Sequence, residues 1–239
     1  MEEELKIQYL NIIKNYKLNL EKINKKLKLI NSEFKTVFNK QLIDENIINN
    51  NIKALVVMDN PGKNEFENNE YLIGKAGKGF NRVINSLSTE KNFIYRNNLL
   101  VFNKSTIYTN ATNDLNKIYQ NEKLKSIFIE EQKNTFEVIF QIHRLLKIPL
   151  FVHGYSSYLK NGIKYIDNYK GNRPLYIFFN LLFENYNNKQ LKNLIYFYHH
   201  SSYGCLEKQI RNYENKTNKT RDFNLFLELG NCNIKGFFE

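Results

Sequence analysis

The 239-residue chain is poor in several things, and each shortage removes a class of function. There are two cysteines, Cys205 and Cys232. That is too few for a four-thiolate iron-sulfur cluster, an all-cysteine zinc site or a disulfide scaffold. No apolar run reaches the length of a membrane span, and the acidic start followed by a Lys-rich amphipathic stretch lacks the order of a secretory signal. A soluble, cytoplasmic protein with no membrane partner is expected. There is no internal repeat and no Pro/Gly/Ser-rich linker. Proline is scarce (three) and tryptophan absent.

What is present is charge and an apolar core. Thirty-five Lys and Arg against 24 Asp and Glu give a net charge of +11, which favours an anionic partner such as nucleic acid through counterion release. The general lean toward Asn, Lys, Ile, Phe and Tyr weakens that signal, because such a bias raises lysine without selection for binding. A hydrophobic fraction of 42% can build a substantial core in one domain.

Residues 1–45 read as an N-terminal helical extension, one or two helices carrying Leu5, Leu10, Ile13, Leu18, Leu20, Ile23, Leu27 and Ile30 with a helix-like period in places, packed on the main domain. Four short apolar runs follow: Ala54 to Met58, Leu99 to Phe102, Ile148 to Val152 and Leu194 to Tyr198. Between them lie helical candidates over 79–87, 122–146 and 175–184. Buried strands alternating with helices predict an α/β fold, a three-layer α/β/α sandwich on a mostly parallel four-stranded sheet. Ligands bind such sheets beyond the carboxyl ends of the strands. Those ends carry Asp59 and Asn60, then Asn103, then residues 154–157, then His199 to Ser202. Each is an ordinary turn former when taken alone; four convergent ends suggest one pocket.

The stretch "MDNPGKNEFENNEYLIGKAG", residues 58–77, resembles the first motif of the uracil-DNA glycosylase superfamily. In the thermostable iron-sulfur branch this motif reads G-E-A-P-G-x-x-E-D-x-x-G-x-P-F-V-G-x-A-G. Pro61, Gly62, Glu65, Gly74, Ala76 and Gly77 match without a gap. "YHHSSYG", from Tyr198 to Gly204, is similar to the second motif, and "LLVFN" to the strand supplying the uracil-reading Asn. The order holds over residues 50–210.

The resemblance implies a monofunctional glycosylase of base excision repair, monomeric, acting without cofactor or metal on uracil-containing single- or double-stranded DNA. It implies that His199 stabilises the leaving base, that Asn103 reads the uracil edge, and that Asp59 or Asn60 handles the attacking water. Pro61, Gly62, Leu72, Gly74 and Ser201 would line the substrate pocket, Tyr71 would take the place of the stacking aromatic, and Tyr203 that of the wedge. Lys75 and Lys78, in "GKAGKG" before a helix, would meet DNA phosphates. The departures are Met58 for the leading Gly, Tyr71 and Leu72 for Pro-Phe, His200 and Ser202 for prolines, and the missing cluster cysteines. They leave open a nucleic-acid-binding relative that has lost catalysis, and an unrelated nucleotide-binding or hydrolase domain of the same α/β class.

Overall fold

The computed structural model describes residues 2–49, 51–87, 97–160, 163–164, 173–186 and 189–238. Four all-parallel strands, β1 (Ala54–Met58), β2 (Leu99–Asn103), β3 (Leu150–His153) and β6 (Ile195–Tyr198), form one sheet in the order β2-β1-β3-β6. Strand β4 (Leu159–Lys160) pairs antiparallel with β5 (Ile163–Lys164), and the short helices are α2 (Glu45–Asn49), α3 (Lys63–Asn68) and α7 (Lys189–Lys192).

Every residue of these four strands is buried, and the period of two divides them between two cores. Leu55, Val57, Leu100, Phe102, Leu150, Val152, Ile195 and Phe197 pack with helices α1 (Glu3–Ile30), α5 (Glu122–Leu146) and α6 (Tyr176–Asn185). Ala54, Val56, Met58, Leu99, Val101, Phe151, Tyr196 and Tyr198 face α4 (Lys75–Leu87), α8 (Cys205–Thr217) and α9 (Phe223–Phe238). Helices on both faces explain why the strands are apolar throughout rather than alternating, and the molecule is an α/β/α sandwich.

The N-terminal segment forms a single 28-residue helix. Its buried stripe is Tyr9, Ile13, Tyr16, Leu20, Ile23 and Leu27, so two tyrosines complete the 4-3-4-3-4 spacing that aliphatic residues alone leave broken. It lies on α5, where the Tyr16 hydroxyl meets Thr135 at 3.2 Å and Asn19 donates to Asn134 at 3.1 Å.

The strand order positions the site. From β1 the chain crosses by way of α4 to β2 on one side, then returns through α5 on the other face to β3 on the far side of β1. The crevice beyond the carboxyl ends of β1 and β3 is therefore the topological switch point. Asp59 leaves β1 there, and Gly154 leaves β3.

Candidate functional site

At Gly154 the chain turns with φ +74°, and a Cβ added there would stand 2.7 Å from Asp59 Oδ1. Glycine is needed for both reasons: any side chain would be strained in the backbone and would displace the carboxylate. Asp59 is thereby seated between β1 and β3, with its side chain 18% exposed. The buried Lys104, the residue after β2, donates to Asp59 Oδ1 and to the His153 carbonyl. Burial would raise the Asp59 carboxyl, but the Lys104 ammonium beside it holds it below the usual carboxylate range. The pair is ionic, and Asp59 stays charged.

His200 Nε2 lies 3.6 Å from Asp59 Oδ2. Its Nδ1 accepts from the Ser202 backbone N–H at 3.1 Å and lies 2.6 Å from the Ser202 hydroxyl. A ring nitrogen that accepts a backbone N–H carries no proton, which leaves the proton on Nε2, facing the carboxylate.

Asn60 is clamped from both ends. Its amide nitrogen donates to Thr109 Oγ1 at 2.8 Å, and its Oδ1 accepts from the Thr112 hydroxyl at 2.7 Å. One lone pair of Oδ1 remains. Asn103, with 2% of its surface exposed, has an amide nitrogen with no hydrogen-bond partner.

These groups share one cleft of about 400 Å³, whose lining includes Asp59, Asn60, Asn103, Thr112, His200 and Tyr203. Gly62, Leu72, Gly74 and Lys75 also line it. The Glu65 carboxylate shapes that wall, accepting from Gly62 N at 2.8 Å and from Leu72 N at 2.6 Å. Leu72 is held at φ 60° as a result of this tight turn.

Four residues expected at the cleft, His199, Tyr71, Ser201 and Pro61, lie outside its lining. The His199 ring lies against Tyr155, with centroids 5.7 Å apart, while its backbone N–H donates to Gln209 Oε1 and its carbonyl meets His153 Nδ1. Those two backbone ties turn the chain so that the adjacent ring, His200, faces the cleft. Tyr71 is buried and its hydroxyl donates to the Val37 carbonyl, so it is a core residue and Leu72 stands at the cleft in its place. Ser201, also buried, places its hydroxyl 3.2 Å from His153 Nδ1 rather than in the main cleft. Pro61 is buried under the turn, its carbonyl 3.4 Å from Thr109 N. Lys78 belongs to a neighbouring cavity described below.

Sequence reasoning passed over Lys104, Thr109 and Thr112. Lys104 carried a readable signal, a lysine placed directly after a buried strand and beside Asn103. The two threonines had none, because their partner Asn60 lies 49 and 52 positions away.

In comparisons with known proteins, no family model matches the chain and no curated sequence matches it significantly. Among the described residues, no group of three or more His, Cys, Asp or Glu could hold a metal ion. Among the same residues, no helix is long and apolar enough to cross a membrane.

Proposed function

We propose that the chain is a monofunctional DNA glycosylase that extrudes uracil, or a related damaged base, and hydrolyses its N-glycosidic bond. The observation that carries this reading is the Asn103 amide nitrogen, a buried donor without a partner, in the same cleft as Asp59 and His200. A buried donor costs about 1–3 kcal/mol when unsatisfied, and of the buried unpartnered polar atoms among the described residues Asn103 Nδ2 is the one whose residue lines the cleft, where a ligand acceptor would recover that cost. The O4 carbonyl of uracil would complete it; the N4 amino group of cytosine would set donor against donor.

The remaining groups divide the chemistry. Breaking the C1′–N bond leaves its electron pair on the base and positive charge on the sugar, and water supplies the oxygen that closes C1′. His200, with its proton on Nε2, donates toward the charge developing on the base oxygen. Asp59, held ionised by Lys104, is too weak a base to take a proton early; it stabilises the cationic sugar and orients the water. Asn60 offers its spare Oδ1 lone pair to the same water. One of the water's protons stays on the new C1′ hydroxyl, and the other leaves to neutralise the departing base, directly or through solvent.

An oligonucleotide carrying one deoxyuridine, incubated with the protein and then treated with alkali, tests this. Strand cleavage by the wild type is expected, slowed about 10²–10³-fold in His200→Ala, the range for removing one preorganised donor. His199→Ala should stay within about threefold. No base release by the folded wild type would end the proposal. It would leave a catalytically inactive nucleic-acid-binding protein, a reading favoured by the engagement of Asp59 with Lys104.

A further inference from the structure

A second cavity, of about 360 Å³, opens beside the cleft and shares Lys75 and Tyr203 with it. Its walls are Lys75, Lys78 and Arg82 on α4, with Ser201, Tyr203 and Gly204 opposite. The two walls meet closely: a Cβ on Gly79 would lie 2.3 Å from the Ser201 carbonyl, so α4 and the 201–204 turn approach backbone to backbone. The three cations sit at i, i+3 and i+7 on one exposed helix face, over a length of about 10 Å. None has a carboxylate partner among the described residues; the cavity's one acid, Glu207, is bound by Arg221 at 2.6 Å.

Tyr203 completes the site. It is 87% exposed, an unusual state for a large aromatic, and it is held there by a left-handed backbone, φ 55°, followed by Gly204 at φ 71°. One face of its ring carries the Lys75 ammonium, 5.7 Å from the centroid. On the opposite wall Lys63 pairs with Glu67 at 3.8 Å, and Lys117, in a cavity that adjoins it at Thr109 and Asn110, pairs with Asp114 at 3.3 Å. Among the described residues, the cations of the two cavities that lack a carboxylate partner thus lie in one row on α4, which matches one phosphate backbone rather than the two that a duplex presents.

We infer that this cavity is a single-strand subsite: the backbone flanking the target nucleotide lies on Lys75, Lys78 and Arg82, and the neighbouring base stacks on Tyr203. Its placing of the target base rests on the glycosylase reading; its binding chemistry does not. Aromatic platforms beside a basic groove are sequence-tolerant readers of single strands.

Fluorescence anisotropy with a labelled single-stranded decamer lacking uracil, and with its matched duplex, tests it. The single strand should bind at least ten-fold more tightly. Tyr203→Ala should lose about ten-fold or more on the single strand while Tyr203→Phe retains it, and Lys78→Ala/Arg82→Ala should flatten the salt dependence by about 1.4 in log–log slope. Circular dichroism checks that each variant is folded. Equal or tighter binding of the duplex, or a folded Tyr203→Ala variant that binds as the wild type does, would overturn the inference. Base release without strand preference overturns the subsite and keeps the glycosylase; strand preference without base release supports the subsite and overturns the glycosylase.

Discussion

Two carboxylates lie near the end of β2, within a few residues of one another in space, and their surroundings are opposite. Glu131, on α5, is wholly buried and meets no cation. It accepts from the Ser105 hydroxyl at 2.8 Å, from Thr106 N at 2.7 Å, from the Thr106 hydroxyl at 2.9 Å and from the Thr135 hydroxyl at 3.0 Å. Burial pushes its carboxyl up, and these neutral donors offset only part of that rise. Asp59 has fewer donors but a full positive charge beside it, and one oxygen facing a cleft. The contrast separates structure from chemistry. A carboxylate saturated by neutral groups of its own chain can bind nothing else, and serves to pin the segment after β2; one kept ionised by a single cation retains an oxygen for a ligand.

The comparison breaks most visibly at Asp59. Asp59→Asn should lower base release by roughly 10²–10⁴-fold, the usual range for a group acting on the attacking water. It should also destabilise by about 3–5 kcal/mol, because Lys104 then lies buried without its counterion. Adding Lys104→Met should recover much of the stability in urea unfolding and none of the activity. Recovery of activity would mean that Asp59 acts only through Lys104. Next in size is Glu131→Ala, which strips four donors of their acceptor. Urea unfolding should show a loss of about 3 kcal/mol or more.

Much of this was legible from the chain, for reasons that can be stated residue by residue. Ala54 to Met58 ends as read, because a five-residue apolar run between Lys53 and Asp59 has only one way to be buried on both faces. The helix over 122–146 also keeps its bounds, with Asn121 as N-cap accepting from Lys123 N and Leu124 N. The convergence of Asp59, Asn60 and Asn103 followed from strand topology alone. What failed to be legible was side-chain direction at single positions. Adjacent His199 and His200 point different ways, and the deciding bonds come from Gln209 and His153, one on α8 and one at the end of β3. Motif position alone makes Tyr71 a platform and does not reveal that Val37 offers its hydroxyl a buried acceptor. Lys104 could be seen, but not its partner, since a buried charge is located by the fold and not by its neighbours in the chain.

The pH dependence sharpens the same contrast. A carboxyl lowered in the folded state stabilises above its unfolded value and loses that as pH falls through the lowered one; a raised carboxyl has its stabilisation below the unfolded value and loses it as pH rises. Measured against Asp59→Asn, the wild type should therefore gain stability as pH rises from about 3 toward 5. Measured against Glu131→Gln, it should lose stability as pH rises above about 4.5. Parallel curves for the two variants would show the carboxylates to be alike. Both sit on a common acid limb set by two buried histidines, His143 and His153, whose rings burial lowers to about 4 and about 3. Each should remove about 1.4 kcal/mol per pH unit as pH drops below 6.5.

The smallest expected effects come from two threonines that play parallel parts in the two clusters. Thr112 donates to Asn60 Oδ1 in the cleft; Thr135 donates to Glu131 in the core. Replacing either by valine keeps shape; it removes one hydrogen bond from Thr112 and two from Thr135, which also meets the Tyr16 hydroxyl, each worth about 1 kcal/mol. If the division drawn from the carboxylates is right, the two losses should appear in different measurements. Thr112→Val frees the Asn60 amide to rotate and should lower kcat/KM for uracil release about five-fold, with the urea midpoint little changed. Thr135→Val should shift the urea midpoint accordingly and leave kcat/KM within error, since Glu131 keeps its three other donors and nothing near the cleft moves. A fall in activity in both variants would join the two clusters into one coupled network, with α5 as the element that transmits between them.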